Sequence, residues 1–141
     1  MMIWKEEITG AISNICSYAG AAFERGALHP HDRERLFGYT IAFAVCLKRT
    51  LRNETDIDEL KSVLSKEDLK QLKEQEDLTA HCLYVLHGYI VEAMKSDDIG
   101  LPGPFFTFLM SNVTLLAAAE SKCKRIQEYR IAYGECNIIV L

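Results

Sequence analysis

Phe105, Leu109, Asn112, Leu116, Ala119, Cys123 and Ile126 recur at alternating steps of four and three residues, which returns each of them to the same stripe of an α-helix. A stripe of that length is a buried seam, and facing helices are what cover it. The same period appears three more times upstream. Ile8, Ile12, Ile15 and Ala19 predict a helix over residues 5–25, ending at Gly26. Leu36-Phe37, Thr40-Ile41, Phe43-Ala44 and Leu47 predict a second over residues 32–52. Asp32 and Glu34 open it and Lys48, Arg49 and Arg52 close it, the order of charge that suits a helix dipole. Its apolar face is wide enough to place it near the centre of the core. Leu83, Leu86, Ile90 and Ala93-Met94 predict a third helix over residues 78–95, and the seam itself predicts a fourth after Pro104.

Two shorter elements fall between the second and third helices. Residues 56–64 predict a short helix capped by Thr55 or Asp56, and Ser65, three residues before Asp68, opens another as in a capping box. Residues 66–77 are dense in charge but mix both signs, as a solvated helix face does. The Gly- and Pro-rich residues 96–104 separate the third helix from the fourth. Beyond the seam the chain is expected to turn through Tyr129-Arg130-Ile131-Ala132-Tyr133, and only residues 137–141 carry any strand character. The fold class is therefore all-α, a helical bundle of about four main helices plus one or two short ones. It forms a single domain over residues 1–141, because the piece beyond Pro104 is too small for a core of its own.

With 49% apolar and 26% charged residues, and only 8 Gly and 3 Pro, the chain has the composition of a folded globular protein. Its net charge of −4 gives no electrostatic footprint for nucleic acid, which is not an expected partner. Met1-Met2-Ile3-Trp4-Lys5-Glu6-Glu7 lacks the basic and apolar regions of a signal peptide. The longest apolar runs, residues 39–47 and 105–119, fall short of the roughly 20 residues that cross a bilayer. Cys16, Cys46, Cys82, Cys123 and Cys136 are odd in number and widely spaced, so they read as reduced thiols, four of them small core residues.

His29 and His31 flank Pro30, and His81 and His87 stand six apart. Neither pair has a zinc-site spacing, and a nucleophile elbow, a phosphate-cradling loop and a dinucleotide fingerprint are missing. The sequence thus implies no catalytic residue, no metal and no cofactor, and the protein is not expected to be an enzyme. Glu6-Glu7 and Asp97-Asp98 read as solvated acids. Asn112 interrupts the seam either as a polar residue that specifies an oligomer or as a core side chain hydrogen-bonded internally.

Three segments carry a resemblance to a known family. Cys123-Lys124-Arg125-Ile126, followed by the stretch through Ile131, is similar to the Cys-Glu-Arg-Ile motif and Thr-Pro-Ile-Pro stretch of the bestrophin-type anion channels of bacteria and fungi. Ala42-Phe43-Ala44-Val45-Cys46-Leu47-Lys48-Arg49-Thr50-Leu51-Arg52 resembles that family's apolar helix ending in Leu-Arg, and Trp4-Lys5-Glu6 with Gly10, Ile12 and Asn14 resembles the segment leaving its second membrane helix. The order of the three segments also matches. Lys124 stands where the family has Glu, and Arg130 and Ala132 replace both prolines.

The resemblance covers nearly the whole chain, but only the cytosolic helical part of the family's fold, whose membrane helices lie before the equivalent of Trp4 and after that of Leu141. It implies a chloride or anion channel subunit, truncated or partial, at the cytosolic face of a membrane. Five such domains would line a vestibule that continues the pore, and basic side chains beside it would favour small anions. Cys123, Arg125, Ile126, Leu51 and Arg52 are the family-motif positions, and Ile131 is the residue expected at an apolar constriction that gates by dewetting. The alternative is a stand-alone, cytoplasmic helical interaction module with no channel activity.

Overall fold

The computed structural model describes residues 2–24, 30–95 and 103–140. The element order is α1 (Met2–Glu24), α2 (Pro30–Leu51), a 3₁₀ turn (Asp58–Ser62), α3 (Lys66–Lys73), α4 (Leu78–Lys95) and α5 (Gly103–Val140). The all-α bundle anticipated from the periodicity is what forms. Pro30 opens α2, where its fixed φ suits the first helical position and its missing N–H leaves nothing unpaired. Lys48 and Arg49 occupy the last turn of α2. Past its end Asn53 takes a left-handed φ of 56°, which a short amide side chain tolerates better than most. Ser65 caps α3 as expected: its Oγ accepts the Asp68 amide at 3.2 Å, an interaction worth about 1 kcal/mol.

The four long helices surround one core. In ring order α1 packs on α2, α2 on α4, α4 on α5 and α5 back on α1, while α2 and α5 also touch across the middle. Ring neighbours run antiparallel, as the α1–α5 contacts Glu7–Lys122, Asn14–Asn112 and Tyr18–Phe105 show. Ile15, Tyr39, Phe43, Leu86, Val113 and Leu116 are sealed from solvent at the centre, and Ile57, Leu60 and Leu72 extend the core beneath the short elements. Leu109, Asn112, Leu116, Ala119 and Cys123 of the seam are all buried, and Phe105 and Ile126 at its ends are half-buried. Gly38 is where α2 meets the chain after the 3₁₀ turn: a Cβ there would lie 2.5 Å from the Val63 carbonyl oxygen.

Several expectations are corrected. The expected turn at residues 129–133 is helical, and so is the expected strand segment as far as Val140, because α5 runs unbroken to that residue. With Arg130 and Ala132 in place of prolines, every amide there can donate to the ladder, and no ring clashes with the preceding turn. Ile131 therefore sits on a helix and not in a loop; its side chain lies outside the described residues. The short helix expected over residues 56–64 is a single 3₁₀ turn. α5 starts at Gly103, with Pro104 inside its first turn, where proline is harmless. The charged stretch 66–77 is not wholly a solvated face, since Asp68, Leu69 and Leu72 of α3 are buried.

Candidate functional site

The two motif segments, separated in the sequence by residues 53–122, meet at one end of the bundle. Leu51 is half-buried in the last turn of α2, and Arg52 just beyond it is exposed. Across from them on α5, Cys123 is buried, Arg125 is exposed and Ile126 is half-buried. The link between the segments is Gln127, whose Nε2 donates to the Leu51 carbonyl at 2.8 Å and to the Thr50 carbonyl at 3.3 Å. These carbonyls belong to the last turn of α2; the Thr50 carbonyl also accepts the Asn53 amide at 3.1 Å, so a side chain from a second helix helps to close the first.

Lys124, the residue that departs from the family pattern, is held by two carboxylates. Its Nζ lies 2.6 Å from Glu120 one turn back and 3.2 Å from Asp77 at the start of α4. Burial alone would lower the Lys124 pKa, but the two acids outweigh it and raise the value above the ordinary one. Glu120 is itself nearly buried and receives the hydroxyl of Thr79 at 2.6 Å. Asp77 lies 3.0 Å from the same hydroxyl, and a single proton cannot serve both acceptors, so the shorter contact to Glu120 takes it. Asp77 caps α4 through the Ala80 amide at 3.1 Å. Burial would raise the Asp77 carboxyl, yet the Ala80 amide and Lys124 together hold it below its ordinary value.

The basic end of α2 is only partly neutralised. Arg49 forks onto Glu54 and onto Glu59, the latter at 2.7 Å, which ties the helix end to the 3₁₀ turn, while Lys48 and Arg52 stay exposed. Beside this junction lies an open cleft of about 700 Å³, lined by Thr50, Glu54, Asp56, Asp58, Lys73 and Glu76 among others. Its excess of carboxylates repels an anion, so the cleft is not an anion-binding pocket. No group of three or more His, Cys, Asp or Glu side chains converges on a metal position among the described residues.

A family model for the bacterial and fungal bestrophin proteins matches residues 3–131 of the chain. The chain belongs to the bestrophin family. The matched region takes in every segment on which the resemblance was read, from Trp4 to Ile131. No curated protein and no solved structure matches. Within this bestrophin, Asn112 is an internally bonded residue: its Nδ2 donates to the Phe108 carbonyl at 2.8 Å and its Oδ1 accepts from Asn14 on α1 at 3.1 Å. Cys46, Cys82 and Cys123 are buried free thiols and Cys16 is half-buried, whereas the side chains of Cys136, His29 and His31 lie outside the described residues.

Sequence reasoning passed over Gln127, Glu120, Asp77 and Thr79. Signals for three of them were present. Glu120 and Lys124 are four apart, the spacing of a helical ion pair, and Asp77-Leu78-Thr79-Ala80 has the form of an N-cap. Gln127 gave none, because its partners are backbone carbonyls of a distant helix.

Proposed function

We propose that this bestrophin is the cytosolic helical part of an anion-channel subunit, contributing a vestibule that continues a membrane pore. The observation that carries the reading is the family match over residues 3–131, within which both motif segments are packed together through Gln127. Exposed Lys48, Arg52 and Arg125 beside that junction supply the positive field that attracts chloride or other small anions. Ile131 is the residue proposed for the apolar constriction, on the stretch of α5 just beyond the motif. The assembly proposed is a homopentamer. No helix among the described residues is long and apolar enough to cross a membrane. The spanning segments of such a channel would come from sequence flanking these residues or from another chain.

The same observation favours a second reading, a helical interaction module that no longer conducts. A chimera separates the two: a conducting bestrophin of bacterial type in which residues 3–131 replace the equivalent region, reconstituted in vesicles and assayed for chloride flux. Flux that survives the replacement is expected, and Ile131→Ala in the chimera should change it by loosening the constriction. A chimera that assembles in the membrane but passes no chloride refutes the channel reading.

A further inference from the structure

A free cysteine in a core usually packs as a small apolar side chain. Cys46 and Cys82 go beyond that role, because each meets the other's sulfur. Cys46 lies near the end of α2 and Cys82 near the start of α4, both are 0% exposed, and the two helices pack on one another. Their antiparallel course is marked at the far end of the contact by the Arg35 guanidinium, 5.0 Å from the centre of the Tyr89 ring. At the cysteine end the Cys82 thiol donates a hydrogen bond to the Cys46 sulfur.

That bond makes the two thiols unequal. Accepting it favours the Cys46 thiolate and lowers its pKa in spite of burial. Donating it, together with burial and the nearby Glu120 carboxylate, keeps the proton on Cys82 and raises its pKa. The thiolate is the form that attacks an oxidant, so Cys46 is the attacking sulfur and Cys82 the resolving one. Burial also raises the thiols of Cys16 and Cys123, and Glu120 adds to it at Cys123, but no second thiol acts on either.

We propose that Cys46 and Cys82 are a modification site at which hydrogen peroxide forms a disulfide between α2 and α4. The Cys46 thiolate attacks one peroxide oxygen and the O–O bond breaks. Hydroxide leaves and takes up the proton that Cys46 had lost, giving one water and a sulfenic acid on Cys46. Cys82 then attacks that sulfur, the S–S bond forms and the S–O bond breaks, and the oxygen leaves with the Cys82 proton as a second water. Two thiols lose two electrons and the peroxide gains them. Peroxide suits the site because it is close to water in size, whereas a bulky oxidant reaches sulfurs without exposed surface only when the helix pair opens. The bond would fasten α2 just before Leu51 and Arg52, the end at which the motif segments meet. It needs only one copy of the chain, so it stands apart from the channel reading.

The test treats the reduced, folded full chain with hydrogen peroxide, blocks the remaining thiols with N-ethylmaleimide and maps linked peptides by mass spectrometry. The Cys46–Cys82 link is expected to exceed every other intramolecular link by about tenfold. In Cys82→Ala it should vanish, leaving a Cys46 sulfenic acid that dimedone captures. In urea the preference should disappear, because an unfolded chain presents all five thiols alike. The linked chain should unfold roughly 5–15 °C above the same chain reduced with dithiothreitol. Links dominated by Cys16, Cys123 or Cys136 overturn the proposal, as does a preference that persists unchanged in urea. A pair that stays reduced while Cys16 oxidises overturns it too. So does a linked chain that unfolds at a lower temperature, since the bond would then strain the packing it is meant to fit.

Discussion

Gln127 donates to two helix-end carbonyls with one amide, and its removal takes the side-chain donor from both while the Thr50 carbonyl keeps the Asn53 amide. Gln127→Ala is expected to cost about 1 kcal/mol, which lowers the midpoint of thermal unfolding by roughly 2–5 °C in a chain of this size. Calorimetry on the two proteins measures it. The Asp77 carboxyl carries a different signature, because its pKa in the folded protein lies below the ordinary 3.8. Such a group contributes stability that is fully present above the unfolded pKa and is lost as pH falls through the folded one. The protein should therefore weaken below about pH 4, and Asp77→Asn, which keeps the cap but loses the charge, should flatten that part of the profile. Denaturant titrations at a series of acidic pH values give the slope. At this scale the sequence was informative wherever partners are close along the chain, as with Ser65 and Asp68. It was silent where they are distant. The bidentate pair of Arg35 with the buried Asp68, at 3.0 and 3.2 Å, joins two helices that no periodicity relates.

Among the elements, α2 packs on α1, α4 and α5, and Gly38 shows how tightly it also meets the chain after the 3₁₀ turn. A methyl group there meets the backbone oxygen of Val63, which cannot rotate away as a side chain could. Gly38→Ala should cost about 1–3 kcal/mol through displacement of the 3₁₀ turn, despite alanine's better helix propensity. The expected fall in the urea midpoint, with an unchanged slope, is the check. The four long helices were legible from apolar spacing, since each buries one stripe against its neighbours. The course of α5 beyond Ile126 was not. There the family pattern implied a proline-shaped turn, but the residues present, Arg130 and Ala132, permit helix, and local chemistry decides which forms. The 3₁₀ turn was also misread, because five residues hold too little periodicity to separate one helical form from another.

For the molecule as a whole, the bestrophin match takes in both motif segments, which meet through Gln127 at one end of the bundle. Fold class followed from the seam and its three counterparts. If the chain is a channel subunit, its function depends on how many copies surround the path and which faces they share, properties that no single site contains. Sedimentation velocity of the purified full chain, from micromolar to millimolar concentration, tests this most directly. The account predicts a closed species larger than a dimer, with a mass that is a multiple of 16.0 kDa and does not grow further with concentration. A single 16.0 kDa species across the whole range would contradict it.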